Sequence, residues 1–182
     1  VWCQWQPSLF RGMTYDELAS LTKESVRYWL DEGSMVVPKE TLDLFAALRK
    51  HSIDVYICSA SLEVIVEAMA CDPEFGLNFS EDHVFGIRLA DTQWVGGAFD
   101  PTYTPTFLEG KVACIERFMR PAHNGAAPIL VSGDSGGDVA MLSTYSDALR
   151  LVYDCNRTGS IAEFISSDQP RCVVQPRTQY SK

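Results

Sequence analysis

Short β-rich runs alternate with amphipathic helical stretches along most of this chain, and that alternation constrains its fold more than any single residue does. Residues 53–58 (IDVYIC), 84–89 (VFGIRL), 128–132 (PILVS) and 149–153 (LRLVY) read as strands, with a last short one over 172–174. Helical patterns lie between them, over 62–70, 109–120 and onward from Ser160. Ahead of the first strand, Thr14-Tyr-Asp-Glu17 has the spacing of a capping box, which predicts a helix over 14–32 closed by Gly33. A second helix is predicted over 38–50, with Pro38 in its first turn and Leu42, Phe45 and Leu48 in one stripe. Strands separated by helices need crossover connections and so pair in parallel. The predicted class is therefore α/β, with helices layered on a parallel sheet.

Composition narrows the function classes. Hydrophobic residues make up 46% and charged residues 21% of 182, enough for a packed core and incompatible with a disordered chain or a coiled coil. Lys plus Arg number 15 against 24 Asp plus Glu, a net charge of −9, so no nucleic-acid partner is expected. A single phosphate can still be held where a metal ion offsets the local charge. No apolar run reaches the ~18–20 residues of a membrane span. The start, VWCQWQPSLF, lacks the basic and apolar segments of a signal peptide and an initiator Met, so a longer or processed chain is expected. The six cysteines are dispersed without a Cys-x-x-Cys pair, which argues against a zinc ribbon or a disulfide scaffold. Cys58 and Cys114 fall in apolar segments and are predicted to be core residues.

Ligands of parallel α/β sheets sit at the carboxyl ends of the strands, and two predicted strand ends carry chemically useful residues. After residues 128–132 comes Gly133-Asp-Ser-Gly-Gly-Asp138. Asp134 and Asp138 make an oxygen donor set of the kind Mg2+ takes, and the glycines let backbone approach a ligand. The competing reading is a tight turn with Asp138 charging the next helix. After residues 53–58, Ser59 is either a helix N-cap or part of an anion site built with the N–H groups of the helix start. Lys111 opens an apolar helix, where the helix dipole disfavours a cation, so it is either a solvated lysine or a group that neutralises phosphate.

The order of these features resembles the motif order of the haloacid dehalogenase (HAD) superfamily. Ser59 matches that family's second motif, Lys111 the third, and Asp134 with Asp138 the fourth. Within the superfamily the chain looks most like the phosphoserine-phosphatase-like group and, there, the bacterial phosphorylcholine phosphatases. That likeness is carried by residues 5–14 (WQPSLFRGMT), 53–61 (IDVYICSAS), 71–76 (CDPEFG) and 105–111 (PTFLEGK). The resemblance implies a three-layer Rossmannoid core over 51–182, contributing strands two to five, with residues 1–50 as the tail of a helical cap. It implies Mg2+-dependent hydrolysis of a small phosphorylated metabolite, phosphocholine or phosphoserine, through an aspartyl-phosphate. Ser59 and the Ala60 N–H would bind a phosphate oxygen, Lys111 would offset charge, Asp134 would ligate Mg2+, and Asp138 would be a second ligand or a brace. Trp2, Trp5, Tyr28 and Trp29 could face a quaternary ammonium, although Trp29 also fits a core stripe. Exported relatives tilt the compartment towards periplasm or exterior without deciding it.

One departure matters. The family's first motif, Asp-x-Asp-x-Thr/Val, precedes the others, and no carboxylate before Ser59 stands in that context: neither Asp16, Glu17, Asp31, Glu32 nor Asp54. The nucleophile, the acid/base Asp, one metal ligand and the central strand are therefore expected from an upstream segment or chain, and residues 1–182 alone are expected to be inactive. Residues 151–158 (LVYDCNRT) imitate the missing motif, but Asn156 cannot act as the acid/base, so the favoured reading is a strand and its loop. The alternative function is a catalytically inactive phosphate-binding or interaction module; a phosphotransferase or mutase with the same core stays open as well.

Overall fold

The computed structural model describes residues 2–167 and 169–176, with side chains from Trp5 onward, so the side chains of Trp2 and Cys3 lie outside the description. The chain divides into two compact units, Val1–Pro105 and Thr106–Lys182.

The first unit contains α1 (Trp2–Leu9), α2 (Tyr15–Asp31), α3 (Lys39–Lys50), β1 (Ile57–Leu62), α4 (Glu63–Ala70) and β2 (Val84–Ile87). The predicted capping box forms. Thr14 N–H donates to Glu17 Oε2 at 2.7 Å, and Glu17 N–H donates to Thr14 Oγ1 at 3.2 Å. Leu18 and Val26 turn inward, as α2 packs on α4. Trp29 departs from its expected core place: it is 47% exposed, edge-on to Tyr28 at 5.0 Å. Helical spacing sets the direction of a stripe, not how far its partner extends. The 8-residue α4 cannot cover the 17-residue α2 from end to end.

Leu42 and Phe45 of α3 pack on a core of Val66, Ala70, Leu77, Phe79 and Val84. Phe45 and Phe79 meet edge to face at 5.3 Å, and the Arg49 guanidinium lies 4.8 Å from the Phe79 ring centre. The cap–core boundary expected at 50/51 falls inside this unit, and α3 shares a core with residues beyond it.

The first strand lies later than predicted. β1 covers Ile57–Leu62, not 53–58, so Ser59, Ala60 and Ser61 belong to the strand. It pairs in parallel with β2 through Ile57↔Val84, Cys58↔Phe85 and Leu62↔Ile87, with an irregularity between Cys58 and Leu62. Local β-propensity pointed to residues 53–58, but strand pairing decides where a strand is. Gly86 of β2 is required here, because a Cβ on it would sit 2.4 Å from Glu63 Cα. That close approach lets Gly86 N–H donate to Glu63 Oε2 at 3.0 Å, beside the Arg88 Nε donation to Oε1 at 2.8 Å.

Glu67, one turn along α4, is pushed up to about 7 by burial first, and then by the charges of Glu63 and Glu81. Below pH ~4.5 its carboxyl is protonated whether the chain is folded or not. As pH rises to ~7 the unfolded chain ionises first, so stability falls across that window and the full cost remains above it. Glu67 is only partly buried, and with solvent screening that cost is about 1 kcal/mol. Glu67→Gln is therefore expected to raise the unfolding free energy by ~1 kcal/mol at pH 8 and hardly at all at pH 4.5, as read by urea titrations of the intact protein at both values. An equal gain at both pH values would exclude a charge origin.

The second unit contains α5 (Glu109–Cys114), a π-helical turn (Ile115–Met119), α6 (Arg120–Ala122), β3 (Leu130–Gly133), α7 (Val139–Thr144), β4 (Leu149–Asp154), α8 (Ser160–Ser166) and β5 (Cys172–Pro176). Its sheet is parallel in the order β3-β4-β5, with Leu130↔Leu149 and Arg150↔Cys172 in register. The central β4 buries Val152 and Arg150. The Arg150 guanidinium donates to the carbonyls of Leu142 and Pro170. Cys114 is buried as predicted, whereas Cys58 is only partly so. Among the described residues no helix is long and apolar enough to cross a membrane.

Candidate functional site

The second unit gathers its chemistry where β3 ends. Gly133 closes the strand, and a turn carries the chain through Asp134 and Ser135 into a short 3₁₀ turn (Gly136–Asp138) and then α7. Asp138 is 4% exposed and ties this turn together. Its Oδ2 accepts from the N–H groups of Asp134 (3.1 Å) and Ser135 (3.0 Å) and from the Ser135 hydroxyl (2.8 Å). Its Oδ1 accepts from Lys111 Nζ at 2.6 Å. Burial works against a charge on Asp138. The Lys111 ammonium beside it and the bonds from Ser135 and Asp134 outweigh that and hold its carboxyl below the usual range.

Lys111 is 8% exposed, in the first turn of α5. It is not a solvated lysine. The helix dipole that disfavours it there is offset by the Asp138 carboxylate. Leu108, which caps α5, adopts φ 53° and ψ −126°, a backbone region that side chains rarely enter. The helix bearing Lys111 therefore starts from a strained residue, as is common near functional sites.

Gly133 has a role that the sequence reading did not assign. A Cβ on it would lie 2.4 Å from Asp138 Cβ and 2.7 Å from Cγ. Its missing side chain makes room for Asp138, rather than for a ligand. Likewise a Cβ on Gly136 would lie 2.7 Å from Ser160 Oγ.

Asp134 differs from Asp138. Its side chain is 40% exposed, and its Oδ2 accepts from Arg157 Nη2 at 2.8 Å and Nε at 3.2 Å. The hydrogen bond to Asp134 and its charge raise the Arg157 pKa, so that guanidinium stays charged. Among the described residues no group of three His, Cys, Asp or Glu side chains converges as a ready metal cage. The donor set nevertheless suits Mg2+, which takes one or two carboxylates and keeps several waters. The Asp134 side chain is partly exposed and offers hard carboxylate oxygen, while both oxygens of Asp138 are already engaged.

Ser59 and Ala60 lie in the first unit, at the irregular stretch of β1. The Ser59 hydroxyl accepts from Ser61 N–H at 3.2 Å, a local turn within the strand; α4 begins only at Glu63, so Ser59 is not its N-cap. Asp154 ends β4 and accepts Asn156 N–H at 2.9 Å, which is the strand-and-loop arrangement expected for residues 151–158. Ser135 and Arg157 were not singled out in the sequence. Ser135 was legible, since Ser-x-x-Asp138 is a capping-box spacing. Arg157 had no local signal, because it reaches Asp134 from the loop beyond the neighbouring strand.

A parallel α/β chain whose Gly-Asp-x-x-x-Asp turn is anchored on a buried lysine defines a class of Rossmannoid hydrolase. The chain belongs to the haloacid dehalogenase-like hydrolase family, whose model matches residues 5–143, and the resemblance read from the motifs is borne out. It is 26% identical over a 170-residue alignment to the phosphorylcholine phosphatase of Pseudomonas aeruginosa, covering 72% of this chain and 48% of that protein. A crystal structure of a conserved functionally unknown protein from Anaerococcus prevotii matches it with a TM-score of 0.73 at 27% identity, over 87% of this chain and 48% of the other. The chain thus spans about half the length of these relatives.

Proposed function

We propose that the intact protein is an Mg2+-dependent phosphomonoester hydrolase acting on a small phosphorylated metabolite, phosphocholine or phosphoserine. The observation that carries this reading is the buried Lys111–Asp138 pair beside the accessible carboxylate of Asp134, in a chain of this hydrolase family. Lys111 offsets charge on the phosphoryl group. The family resemblance gives the Ser59 hydroxyl and Ala60 N–H, in the first unit, a phosphate-binding role as well. Asp134 holds Mg2+, which when bound neutralises charge on the phosphate. Asp138 acts as a brace rather than a ligand, since four donors already occupy its carboxylate. An upstream segment supplies the nucleophilic Asp, which forms the aspartyl-phosphate, and the Asp that protonates the leaving oxygen. It also adds a strand. The exposed Tyr28–Trp29 pair and the relative from Pseudomonas aeruginosa favour phosphocholine as substrate.

The test is phosphate release from phosphocholine and phosphoserine by the intact protein over a range of Mg2+ concentrations. Asp134→Asn is expected to lower Mg2+-dependent turnover by ~10²-fold or more, the scale of losing one electrostatic stabiliser. Near-normal turnover in that variant would remove Asp134 from the site. Absence of turnover in the wild type on any small phosphomonoester would favour the inactive phosphate-binding module instead.

A further inference from the structure

We propose that Arg157 is a built-in counter-ion of Asp134 that competes with a divalent cation for its carboxylate, so that Arg157 tunes how tightly this site takes its metal. The inference rests on the reading of Asp134 as the Mg2+ ligand. The two carboxylates of the turn are neutralised in different ways. Asp138 is buried, with Lys111 on one oxygen and three donors from the turn itself on the other. Releasing that pair would strand a charge away from water, so it is permanent. Asp134 and Arg157 are 40% and 53% exposed. Two guanidinium nitrogens, Nε and Nη2, converge on the single oxygen Oδ2, instead of spreading as a fork over two. A pair of that exposure and geometry is weak and exchangeable.

Charge sets the two cations in competition. With Arg157 in place, the site holds two carboxylates against one ammonium and one guanidinium. A divalent cation arriving at Asp134 would then lie within a few ångströms of a fixed positive group, and like charges at that range repel appreciably even in water. The cation binds better when the guanidinium swings off the carboxylate. Its loop allows that: Arg157 lies between β4 and α8, mostly exposed, and follows Asn156, whose φ of 55° turns the chain there. Metal affinity is therefore lowered by the free energy needed to part Arg157 from Asp134.

The experiment titrates the intact wild type, Arg157→Gln, Arg157→Lys and Asp134→Asn with Mg2+ alone by calorimetry, and with Mn2+ by electron paramagnetic resonance. Arg157→Gln is expected to bind the cation ~3–10-fold more tightly than wild type, the range set by an exposed ion pair together with the relieved repulsion. Arg157→Lys is expected to stay near wild type. The gain in Arg157→Gln should shrink as added salt screens the pair. If Asp134→Asn loses the cation while Arg157→Gln binds as the wild type does, or more weakly, the counter-ion role is wrong and the metal assignment stands. If Asp134→Asn binds unchanged, the metal assignment fails and takes this inference with it.

Discussion

Lys111→Ala is expected to lower the unfolding free energy of the intact protein by ~3–5 kcal/mol and its turnover by ~10²-fold or more. The stability loss comes from the group left behind. Asp138 is 4% exposed, and without the ammonium 2.6 Å away its charge would lose its contacting counter-ion in a poorly solvated place. Two measurements separate the structural share from the chemical one. In the double variant Lys111→Met with Asp138→Asn neither member of this buried pair is charged, so much of the stability should return. Turnover should not, because the proposed phosphate-neutralising cation is still absent. Urea unfolding and phosphate release on the same samples decide it. A loss under ~1 kcal/mol in Lys111→Ala would mean that Asp138 is better solvated than its burial indicates.

Gly133→Ala should cost about 3 kcal/mol, near the upper end of overpacking penalties, and reduce turnover with it. The new methyl would meet Asp138 Cβ at 2.4 Å and Cγ at 2.7 Å. Asp138 cannot retreat without breaking bonds to Lys111, Ser135 and the Asp134 N–H, so the whole turn must shift and carry Asp134 with it. Gly137→Ala is the control. Its Cβ would be 3.5 Å from Ser135 Oγ, an ordinary contact, and the variant should stay within ~1 kcal/mol of wild type. If the two alanine variants behave alike, the effect belongs to backbone freedom in a glycine-rich turn and not to the Asp138 contact.

Where the sequence reading succeeded, the signal was local. The capping box at Thr14 and Glu17, the helix from Lys39 and the strand into Gly133 all follow from spacing within a few residues. It misplaced β1 by four residues, because Ser59-Ala-Ser61 has no strand character of its own and gains it by lying alongside β2. It put Trp29 in the core, because periodicity says nothing of where a packing partner stops.

For the site the division has the same physical cause. Residue types and their order along the chain were enough to single out Ser59, Lys111, Asp134 and Asp138 and to assign the family, because motif order is a property of the sequence. Which carboxylate is locked and which is accessible depends on burial and on donors that arrive from elsewhere. Lys111 reaches Asp138 across 27 residues and Arg157 reaches Asp134 across 23. The two aspartates look alike in the sequence. Only tertiary packing made one of them a buried anchor and left the other at the surface with an exchangeable partner, because desolvation and long-range pairing exist only once the chain has folded.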